Sequence, residues 1–249
     1  MDVPLAISLV VTATSVGIAA TIALVLDRAP ASLTRPQQRR TAVAAGLTLA
    51  GWLSAASLLA VGGAFRAPTI PPAIAYPLVG IVLLGLLAVR RVAPLRRLVE
   101  EPWVQTRLVA LHVWRFAGGV FLIMAALGHV PWLFALPAGL GDIAVATMAP
   151  AVARRLRRGV GRRSALAWNV FGLADLLVAI GLGATTSPGA AQIFTTSPTS
   201  ELLSGFPLVL FPAFLVPVSF LTHLLSLRFL LRGRAPHQPH PEAGVAIAG

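Results

Sequence analysis

The sequence contains no cysteine and no lysine, and only 8 of its 249 residues are acidic. Without cysteine there is no disulfide, no thiolate nucleophile and no cysteine-ligated cluster. Without lysine no retinal Schiff base can form. Charged residues amount to 11 % of the chain, less than half of the ~25 % usual in soluble domains. Motifs are missing too: there is no P-loop, no dinucleotide fingerprint, no HExxH and no GxSxG. No catalytic residue is therefore nominated, and an enzyme is the weakest expectation. The strict alternation over segments of about 10 residues that marks spanning β-strands is also absent.

What is present is apolar sequence, 57 % of the chain, in recurring runs. Each run is close to the ~20 residues a membrane-spanning helix needs. The expected fold is all-α, a polytopic integral membrane bundle of about seven transmembrane helices. The spans fall near residues 4–26, 41–64, 73–89, 108–127, 132–152, 164–184 and 206–231. The first run has no basic stretch ahead of it and its arginines follow it, so it is expected to be a span rather than a cleaved leader. The 94–104 portion of the basic segment 90–107 is expected to lie in the interface, anchored by Trp103.

Arginine supplies all 20 basic residues, and the formal net charge is +12. In a soluble protein that balance would suggest nucleic acid. Here 18 of the 20 arginines lie in alternate connections or at the C-terminal end. The positive-inside rule explains them and predicts an external N-terminus and a cytoplasmic C-terminus in the cell membrane. No nucleic-acid partner is expected. The organisation reads as a scaffold half at 1–107, a polar half at 108–231 and a disordered cytoplasmic tail at 232–249. Gly139-Leu-Gly-Asp and Gly172-Leu-Ala-Asp hint at an internal repeat.

The polar half carries residues that a lipid-facing helix does not tolerate: Arg115, Asp142, Asn169 and Asp175, with His112 and His223 nearby. At a rise of ~1.5 Å per residue from the nearest cytoplasmic arginine, His112 and His223 lie about 7–8 Å deep. On the same scale Asn169 lies at about 9 Å, Arg115 at about 12 Å and both aspartates at about 18 Å. Side chains lean toward the N-terminus of their helix. Asp175 is thus expected to lean toward Arg115, aided by Asn169 and His223, while Asp142 leans away. Gly139 and Gly172 each precede a carboxylate by three residues and are expected to leave room beside it. Trp103, Trp132 and Trp168 are expected as interfacial anchors. Pro137, Pro207, Pro212 and Pro217 are expected to interrupt the fifth and seventh spans.

These features make a small transporter or permease the leading functional expectation, with its site in the fourth to seventh spans. The ligand- or ion-binding candidates are Arg115, Asp142, Asn169, Asp175, His223 and His112. Arg115 would meet an anionic group or serve as counter-ion, and the aspartates would carry protons or a cation. The expected partners are the lipid bilayer and a small solute or ion, with no metal site. Two alternatives stand beside this. His112 and His223 would be axial ligands of a membrane haem, or the charges would fix helix pairing in a non-enzymatic assembly protein.

Overall fold

The computed structural model describes residues 3–66 and 71–232 and is all-α among them. Residues 233–249, and so nearly all of the expected disordered tail, lie outside the described residues. The helices are α1 (Leu5–Asp27), α2 (Arg35–Val61), α3 (Ala75–Arg91), α4 (Ala93–Val99), α5 (Pro102–Ala126), α6 (Trp132–Arg157), α7 (Arg162–Thr185) and α8 (Phe211–Leu231). Six of them, all but α3 and α4, are long and apolar enough to cross a membrane. With 17 residues α3 is shorter, about 26 Å at the helical rise. It bends by 103° into α4. Leu98 and Val99 turn the inner face of α4 into the bundle, and Arg96 and Arg97 stay exposed.

Large apolar side chains cover the outside, among them Leu5, Leu47, Leu58, Leu83 and Leu177. In water such a surface would be an aggregation hazard; in lipid it is the solvent-facing side. The chain is a polytopic membrane protein.

Local chemistry sets the helix ends. Thr34 accepts a hydrogen bond from the Gln37 N–H, and Pro36 occupies the first turn, so α2 begins several residues before the expected apolar boundary. The buried Gln38 amide turns back to the last carbonyls of α1, at Leu26 and Asp27, and to that of Ala29 just beyond the helix. Between α5 and α6 the chain reverses in a Schellman turn. Gly128 takes φ 73°, its N–H reaches Ala125 and the His129 N–H reaches the Met124 carbonyl. Pro131 then precedes the first residue of α6.

Two helices depart from α geometry. The middle of α5, His112–Gly118, is wound as a 3₁₀ helix. The start of α8, Phe211–Leu215, is a π turn, and residues 206–209, expected to be helical, form a turn ahead of it. Pro217 has no N–H to return to the Ala213 carbonyl four residues earlier. The Trp52 indole of α2 donates to that carbonyl at 3.0 Å. It can do so because Gly80 of α3 has no Cβ, which would sit 2.8 Å from the indole ring. Pro137 and Pro150, by contrast, lie inside a continuous α6.

The largest apolar cluster fills the end of the bundle that holds the α5–α6 turn. Leu208, Val209, Leu210, Ala213, Phe214 and Leu215 are fully buried, and Phe121 packs on Phe134 and Phe211 with ring centroids 5.0 and 4.4 Å away. The segment after α7 folds over this end, tied by a buried Thr186–Ser200 hydroxyl pair at 2.6 Å.

Candidate functional site

Below that core, α5, α6, α7 and α8 enclose one connected polar cluster. Its centre is Arg115, which is completely buried. Nε donates to Asp142 Oδ1 at 2.5 Å. Nη2 donates to Asp175 Oδ2. Nη1 lies 3.5 Å from both the Gly172 carbonyl and His223 Nε2. The side chains of both aspartates are nine-tenths or more buried.

The cluster continues toward the arginine-rich end. Asn169 Nδ2 donates to the Ala165 carbonyl and to Ser226 Oγ, at 2.8 and 3.1 Å. This orients its carbonyl oxygen toward His223, whose Nδ1–H donates to it at 2.9 Å. The lone pair on His223 Nε2 then faces the guanidinium, so a neutral tautomer satisfies both neighbours. His112 has Nδ1 3.0 Å from the Leu108 carbonyl and Nε2 3.3 Å from Thr222 Oγ1. Its ring packs on His223, centroid to centroid 4.2 Å, and on Trp168 at 5.0 Å. All six sequence candidates therefore meet in one place.

Missing Cβ atoms make the approach possible. A Cβ on Gly118 would collide with the Asp142 carboxyl, one on Gly141 with Asp175, and one on Gly172 with the His223 ring. Gly172 thus makes room for a histidine rather than a carboxylate. Gly139 serves packing: its missing Cβ leaves space for Leu122, with the Gly118 carbonyl 3.3 Å away.

Two expectations fail. Asp142 does not lean away; it pairs with Arg115 as Asp175 does. The expectation assumed straight α-helices. In a 3₁₀ segment residues i and i+3 eclipse, so Gly118 stands directly over Arg115. There the absent side chain leaves the space that Asp142 and the guanidinium share. Trp168 is not an interfacial anchor either. It is 3 % exposed, donates its indole N–H to the Val145 carbonyl at 3.1 Å, and packs edge-on against His112 and at a tilt against His223. Trp132, by contrast, is 52 % exposed. Sequence reasoning missed Gly118, Gly141, Thr222 and Ser226. Gly141 directly precedes Asp142 and was legible in kind, though its partner across the α6–α7 contact was not.

The haem alternative does not fit. His112 and His223 are in ring contact, which leaves no gap for a macrocycle between them, and the Nε2 of each already faces a protein side chain, Thr222 and Arg115. Among the described residues no group of three or more histidine, aspartate or glutamate side chains is placed to hold a metal ion.

Fold and cluster together define a multi-pass helical membrane protein with an internally paired, buried ionic centre. The chain belongs to the family described as a domain of unknown function, DUF8737, whose model matches residues 72–231. That stretch begins just before α3 and ends with α8, so it takes in the whole polar cluster. No curated protein and no solved structure matches the chain.

Proposed function

We propose that the chain is a small transporter or permease of the cell membrane, with its site at the Arg115 cluster and α1–α3 as the supporting half. In this reading there are seven spans, with α3 as the third and α4 lying in the interface beside it. The N-terminus is outside and the arginine-rich connections are cytoplasmic, as 18 of 20 arginines favour.

One observation carries the reading: Arg115 is held by two carboxylates rather than one. A tie between two helices needs a single opposite charge. A second buried carboxylate adds a desolvation cost without completing any pair, and such surplus intramembrane charge is characteristic of ion and substrate paths. The test is uptake of radiolabelled solutes into proteoliposomes, run over small carboxylates, amino acids and monovalent cations. Uptake of at least one class, abolished by Asp142→Asn and by Asp175→Asn, is the expected result. Uptake that both variants leave intact counts against the site, and a panel in which nothing moves counts against a transporter.

A second reading has its own support. The complete burial of Arg115 also suits a purely structural tie within the bundle. The triple variant Arg115→Leu/Asp142→Leu/Asp175→Leu separates the two. A structural tie predicts recovery of both abundance and function; a transport site predicts recovery of abundance alone.

A further inference from the structure

We propose that the Arg115–Asp142–Asp175 cluster holds one exchangeable proton, and that this proton is the coupling ion of the transporter. The second half of the statement rests on the transport reading above; the first does not.

The inference starts from a charge count over every element packed around the site. Helix α5 contributes Arg115 and His112, α6 contributes Asp142, α7 contributes Asp175 and α8 contributes His223. Helix α1 also packs against the 3₁₀ segment, and it has no ionisable side chain between residues 3 and 26. His223 presents a lone pair to the guanidinium and an N–H to Asn169, the pattern of a neutral ring. His112 is buried against the His223 ring and is counted as neutral; its Nδ1 faces the Leu108 carbonyl, and its Nε2 lies 3.3 Å from Thr222 Oγ1, a hydroxyl that also reaches the Val218 and Ser219 carbonyls. One guanidinium and two carboxylates then leave a formal charge of minus one in the membrane interior. One added proton removes it.

The geometry offers that proton a seat. Each carboxylate meets the guanidinium through one oxygen only, Asp142 through Oδ1 and Asp175 through Oδ2. The other oxygens, Asp142 Oδ2 and Asp175 Oδ1, stand against Gly118 and Gly141. A proton on either of these oxygens leaves the guanidinium contacts in place. Hydronium gives its proton to the carboxylate oxygen and departs as water; the reverse step returns it, and no electron changes hands. A metal cation fits less well, since it needs about six oxygen ligands and half of the carboxylate oxygens are already taken by N–H groups. Ser219 adds an independent sign of a small polar guest. It is 1 % exposed and lies one turn outward of His223 on the same face of α8. Its hydroxyl has no hydrogen-bond partner, as a water-relay position requires.

Infrared spectroscopy of the whole protein in nanodiscs, with isotope-labelled aspartate, tests the proton without reference to transport. The chain has four aspartates, Asp2, Asp27, Asp142 and Asp175. At neutral pH the wild-type protein should show one protonated aspartic C=O band that shifts in D₂O. Asp142→Asn and Asp175→Asn should each lose that band, because Arg115 then faces a single carboxylate. Absence of the band from the wild type, or its persistence in both variants, overturns the proton site. The wild-type measurement decides even if a variant fails to fold. Flux then separates the two halves of the proposal. A band without solute flux refutes the transport reading and keeps the proton site. Solute flux that follows a sodium gradient and ignores a pH gradient overturns the proton as coupling ion.

Discussion

Replacing Arg115 by glutamine removes the one positive charge that two buried carboxylates share. Stranding a buried partner typically costs about 3–5 kcal/mol. At 1.4 kcal/mol per tenfold, that lowers the folded-to-unfolded ratio roughly a hundredfold to a few thousandfold. Loss of a single carboxylate is different. After Asp142→Asn or Asp175→Asn the arginine keeps one full partner, and the change approaches the loss of one charge-assisted hydrogen bond, about 1.5–3 kcal/mol. Arg115→Gln should therefore be clearly worse than either asparagine variant. Adding Asp142→Asn and Asp175→Asn to Arg115→Gln should recover most of the loss, because no charge is then stranded. The assay is the folded fraction in a mild detergent, followed by fluorescence-detected size exclusion and by thermal unfolding. Wild-type behaviour of Arg115→Gln would refute the argument. So would an Asp142→Asn variant as damaged as Arg115→Gln, since that would make Asp142 the sole essential partner.

Three other outcomes follow from particular contacts. Gly172→Ala puts a methyl into the His223 ring and should destabilise by about 1–3 kcal/mol, whereas Gly17→Ala and Gly51→Ala, with nothing within 4 Å of the new Cβ, should be neutral or slightly stabilising; thermal unfolding of the three reads this directly. Trp52→Phe strips the Ala213 carbonyl of its indole donor and should cost about 1–3 kcal/mol, but less in a Pro217→Ala background, where a backbone N–H becomes available, and an unchanged cost in a double-mutant cycle would disprove the link. For the proposed topology, a reporter fused after Pro198 should appear outside and one after Gly159 inside; the opposite result at either site rejects the N-out arrangement.

The sequence by itself determined the solvent and the cast. Apolar runs too long for soluble helices, separated by arginines, mark a helical membrane protein, because lipid admits no unpaired backbone and arginine stays at its edges. The same rule exposed Arg115, Asp142, Asn169 and Asp175, since a charge or amide inside such a run stands out against leucine and alanine. Pairing was another matter. Asp142 was expected to lean away from Arg115 because lean was taken from straight helices, and a 3₁₀ segment is not visible in the order of residues His112 to Gly118. Trp168 was expected at an interface from its residue type, yet the Val145 carbonyl and two imidazoles draw it inside. Which glycine faces which side chain depends on how closely α5, α6, α7 and α8 approach and how each is rotated. Those two quantities arise only when all four helices pack at once, so only the tertiary structure decided that one arginine would hold two aspartates.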